Sequence, residues 1–221
     1  MKQDLENKIY KEMCAILNTL VPACAITNVD IRLALSILYV ERCQYEIASA
    51  KKILRKAKNS FASILNNVKR LNTSRGFSNI KPKTAEYAIA WQQDIIQPQF
   101  HIAKSIDLQN YDVDDSAAIR LMVLILYIHQ KMWEIHFPKI AKAPALLGTL
   151  YNISDFRNKL PHNNPLPGGS CMKIIIDGEY VTNNFGIRTQ LVYQSNTMET
   201  FMQTLENEFD KRRIKTTADQ I

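Results

Sequence analysis

From Ala23 to Arg75 the chain contains neither glycine nor proline. An interval of that length without the two residues that most often end helices points to long helices rather than to strands joined by turns. Within it Ile31, Leu35, Leu38, Tyr45, Ile53, Ala57, Ile64, Leu65 and Val68 recur at an approximate helical period, and Asn28 or Asp30 is placed as a cap. A first helix is expected from about Asp4 to Leu20. There Leu5, Ile9, Ile16, Leu17 and Leu20 share a face, Asp4 caps and Pro22 ends the helix. Two long antiparallel helices of a bundle have this pattern.

The stretch Asn72 to Pro82 reads as a loop, followed by a shorter helix around Thr84 to Ile96 that Pro98 closes. Asp114, Asp115 or Ser116 then caps a helix running to about His136. Its apolar residues lie nearly all round, the mark of a central, buried helix. Pro138 and Pro144 break the chain, and a helix from about Ala145 to Lys159 follows. After the loop NNPLPGG the texture changes. Met172 to Ile176 and Glu179 to Thr182 flank Asp177-Gly178, a strong hairpin signal, and Ile187 to Tyr193 is expected to add a third strand. A last helix covers about Thr197 to Arg213. The expectation is therefore a mainly α single domain spanning 1–221: a helical bundle over 1–162, a β-hairpin or three-stranded meander over 170–195, and a C-terminal helix over 197–215.

With 46% apolar residues the chain is not of a disordered type, and its formal charge of +7 favours anionic partners, nucleic acid first. The longest apolar run, Leu121 to Ile128, is too short to span a membrane, and the charged N-terminus does not read as a secretion signal. A cytoplasmic protein with no membrane partner is expected. Cys14, Cys24, Cys43 and Cys171 stand at no metal-ligand spacing and read as buried thiols in a reducing compartment. Gly-rich phosphate loops and metalloprotease, hydrolase-elbow and kinase signatures do not occur in the sequence. No cofactor or metal is called for.

Two groups of residues carry candidate chemistry. In KKILRKAK, Lys51/Arg55 and Lys52/Lys56 are four apart, so each pair stacks on one face of a helix. That face suits a phosphate backbone, or is an ordinary solvated face. The KRRIK run near the C-terminus is favoured at a helix end by the dipole alone. His129 and His136, on the order of 10 Å apart along a helix, are too far apart for one metal ion, and His129 reads as a core or boundary histidine.

The second group is Arg157-Asn158-Lys159-Leu160-Pro161-His162. It resembles the signature of the HEPN superfamily: an Arg followed by a polar residue, three further residues, then His. The resemblance implies an all-α bundle with the motif at the end of a helix that follows an apolar one. It also implies a homodimer that brings two motifs together. The activity implied is that of a metal-independent endoribonuclease of the toxin or antiviral-defence type, with a protein antitoxin or regulator as a further partner. It assigns Arg157, Asn158 and His162 to the catalytic site. Pro161, directly before His162, departs from the pattern.

The chemistry suits these residue types. Cleavage of RNA by its own 2′-OH needs a base for that proton and an acid for the leaving oxygen, and histidine serves as either near neutral pH. Arginine offers a planar fork of donors to the charge that develops on phosphorus. Asn158 would orient the histidine or bond the phosphate. A structural alternative uses the same residues: Arg157 paired with Asp155, and His162 on the last carbonyls of a helix. A functional alternative is a non-enzymatic helical protein, viral or from a mobile element, that binds nucleic acid or a protein partner through Lys51, Lys52, Arg55 and Lys56.

Overall fold

The computed structural model describes residues 2–58, 80–95, 115–134, 138–153, 172–173 and 182–218. Among these the architecture is mainly α: α1 (Lys2–Thr27), α2 (Ile31–Lys58), α3 (Pro82–Ile95), α4 (Asp115–Trp133), α5 (Pro144–Ile153), α6 (Asn184–Tyr193) and α7 (Asn196–Ala218). A 3-10 turn over Ile140–Lys142 leads into α5, and Pro82 and Pro144 each occupy a first helical position, where the missing N–H costs nothing.

Hydrophobic burial organises the bundle around α4. Leu121 through Leu126, Ile128, Met132 and Trp133 are all buried, on every side of the helix. Full burial of each large aliphatic side chain is worth roughly 1.5–3 kcal/mol, so this helix carries much of the driving force for folding. His129 lies within the same buried surface. α1, α3 and α5 pack on α4, and α2 packs on α1 and α6.

α1 does not stop at Pro22 as expected; it continues to Thr27. Proline removes one hydrogen bond, but Ala23 and Cys24 are buried beyond it, and the helix end is well made. Asn28 takes a left-handed conformation (φ 54°), the Val29 amide donates to the Cys24 carbonyl at 3.1 Å, and Thr27 Oγ1 donates to the Ala23 carbonyl at 2.8 Å. This is the glycine-type helix stop, here built on asparagine. Asp30 Oδ1 then accepts the Arg32 amide at 2.8 Å and starts α2. The segment Glu6–Thr27 is long and apolar enough to cross a membrane by length and composition alone, which corrects the expectation that no stretch reaches that length. Its apolar side, Ile9, Met13, Ile16, Leu20 and Ala23, is spent on the core.

Of the expected β element the described residues include one paired stretch on each side. Met172–Lys173 (β1) and Thr182–Asn183 (β2) pair antiparallel, Met172 with Asn183 and Lys173 with Thr182; the Asp177-Gly178 turn lies outside the described residues. Ile187 to Tyr193 is not a third strand but most of α6. The reason is local. Asn183 has extended backbone, and its side chain accepts the Gly186 amide at 2.9 Å, which caps a helix at the point where the β-branched pattern suggested a strand.

Candidate functional site

Arg157, Asn158 and His162 lie outside the described residues, as do His136 and Cys171. Both ends of the connection that carries the motif are described, and they meet at one place. α5 ends at Ile153, just before the motif, and the chain returns at β1. β1 pairs with β2, and β2 is tied to α5: the Asn183 amide donates to Thr149 Oγ1 at 3.1 Å and Asn183 Nδ2 donates to Asn152 Oδ1 at 3.0 Å. Thr149 Oγ1 also donates to the Ala145 carbonyl at 2.8 Å. Asn183 and Thr149 are fully buried, so these bonds satisfy groups that water cannot reach.

The support beneath this junction is the crossing of α5 on α6, where two glycines face one another. A Cβ on Gly186 would run into the Ala145 carbonyl oxygen and Thr149 Oγ1; one on Gly148 would stand 2.6 Å from Thr189 Oγ1 and 3.1 Å from the Gly186 Cα. The ring of Tyr151 on α5 lies 6.2 Å from that of Phe185 on α6, and both are buried. None of these residues stood out from the sequence as functional. The sign available from the sequence was Gly148 alone, inside the helix expected from about Ala145 to Lys159, because a mid-helix glycine costs about 1 kcal/mol unless close packing requires it; Gly186 stood before an expected strand.

The basic group sits elsewhere. α2 is continuous from Ile31 to Lys58, so Lys51 and Arg55, and Lys52 and Lys56, are helical neighbours by backbone geometry. Nothing among the described residues joins this group to the Arg157 connection.

A second polar junction was also missed from sequence. Tyr193, at the end of α6, donates its hydroxyl to Asp30 Oδ2 at 2.7 Å. Its carbonyl accepts Arg32 Nε at 2.7 Å, and Arg32 Nη1 reaches Glu199 Oε2 at 2.5 Å. The guanidinium lies over the Tyr193 ring, 5.2 Å from its centre. The Arg32–Glu199 pair is partly exposed and worth at most about 1 kcal/mol on its own; its role is to fix where α6 and α7 meet α2.

Asp30 also faces a thiol. Burial first, and then the Asp30 charge, push Cys24 up to about 12; burial and the hydrogen bond to Asp30 push Tyr193 up to about 12. Both groups ionise more easily in the unfolded chain, the thiol from about 9 and the phenol from about 10. Their stabilising effect is therefore whole below pH ~9 and is lost as pH rises towards ~12. The melting temperature should fall above pH ~9, and Cys24→Ala should make that fall shallower without abolishing it, because burial also raises the Cys43 thiol and pushes Tyr39 up to about 12; a fall as steep in the variant as in the wild type would refute this assignment. Cys14, by contrast, is exposed, which corrects the expectation that all the thiols are buried.

Among the described residues no three His, Cys, Asp or Glu side chains come together as metal ligands. Comparison of the chain with protein-family models, with curated proteins and with solved structures found no match.

Proposed function

We propose that this protein is a HEPN-like, metal-independent ribonuclease, or a catalytically silent relative, that acts on RNA as a homodimer in the cytoplasm. The observation that supports the reading is the position of Arg157-Asn158-x-x-x-His162 in the sequence: it begins four residues after the described end of a helix, α5, among described residues that are mainly helical and whose preceding helix, α4, is the apolar centre of the bundle. In the reaction the 2′-oxygen attacks phosphorus, the bond to the 5′-oxygen breaks, and a 2′,3′-cyclic phosphate and a 5′-hydroxyl result. One histidine removes the 2′ proton and another protonates the 5′-oxygen, so a dimer with two copies of His162 supplies both transfers. Arg157 holds the charge on the phosphorane and Asn158 assists. A protein antitoxin or regulator would be the natural partner of such an enzyme. The test is purified protein with total RNA in excess chelator. Fragments ending in cyclic phosphate are expected, and RNA left intact by the dimeric protein would count against catalysis.

The second reading is a non-enzymatic nucleic-acid-binding or protein-interaction protein, viral or from a mobile element. The unbroken helical backbone of α2 through Lys58 favours it, since it keeps Lys51, Lys52, Arg55 and Lys56 at stacking distance.

A further inference from the structure

We draw no further inference here: the strongest candidate, the side-chain cluster of Thr149, Asn152 and Asn183 where α5 meets β2 and α6, belongs to the site already described, and the residues it would position, Arg157 to His162, lie outside the described residues.

Discussion

Gly186→Ala should destabilise the protein by about 3 kcal/mol or more, although at an ordinary helical position the same change would stabilise it by up to ~1 kcal/mol. The added methyl group has no room: it would overlap the Ala145 carbonyl oxygen and Thr149 Oγ1. The carbonyl is backbone of α5 and moves only if the two helices part, which would pull Thr149 away from the buried Asn183 amide. For a chain of this length such a loss corresponds to a fall in melting temperature of roughly 6–12 °C. Gly148→Ala provides the contrast. Its methyl group meets chiefly the side chain of Thr189, so the double variant Gly148→Ala/Thr189→Ala should recover part of the loss. Thr149→Ala should not rescue Gly186→Ala, because the Ala145 carbonyl remains. Thermal melts of the five proteins decide the matter; a Gly186→Ala protein as stable as the wild type would mean that the helices do not cross this closely.

On the ribonuclease reading, His162→Ala should lower the rate of RNA cleavage by on the order of a hundredfold or more, by removing a proton-transfer group. Arg157→Ala should cost a similar factor, since a fixed donor on the developing oxyanion is worth roughly 3 kcal/mol. Both variants should melt as the wild type does. If Arg157 instead pairs with Asp155 to finish a helix, Arg157→Ala should lower the melting temperature and the wild type should cut no RNA. Cleavage and melting of the three proteins, measured side by side, separate the two accounts. A mixed dimer of wild type and His162→Ala adds a further check: with one histidine for each proton transfer, it should be nearly as slow as the variant.

Features that depend on local pattern could be read from the sequence. α4 is recognisable because Leu121–Ile128 is apolar without interruption, and a helix apolar on all sides has to be central. α2, α3 and α7 follow from periodicity and from where proline and glycine fall. Two local signals misled. Pro22 reads as a stop, but burial of Ala23 and Cys24 outweighs one lost hydrogen bond. Ile187 to Tyr193 has strand-like residues, but the Asn183 side chain had already committed the backbone to a helix. The Gly148–Gly186 crossing and the Asp30–Arg32–Tyr193–Glu199 junction were not legible, because each is a meeting of distant segments and no periodicity within one element encodes it. For the proposed catalytic residues, the sequence supplied the motif, and the described structure supplies the two anchored ends between which it lies.

The Arg32 junction has a consequence for how the chain matures. Its partners are separated by 161 to 167 residues, whereas the α1–α2 pairing through Glu12 and Arg42 spans only 30. The first hairpin can form while synthesis is still under way, since short loops close at little entropic cost. The surface of α2 that receives Tyr193 and Glu199 must wait for a further 161 to 167 residues to be made. Until then Leu33, Leu35 and their apolar neighbours on α2 lack part of their cover, and a nascent chain stalled before α6 would be a natural client for chaperones. α6 and α7 complete the pairing of α1 and α2, so truncation before α6 should be felt first as aggregation during synthesis rather than as a milder loss of stability afterwards.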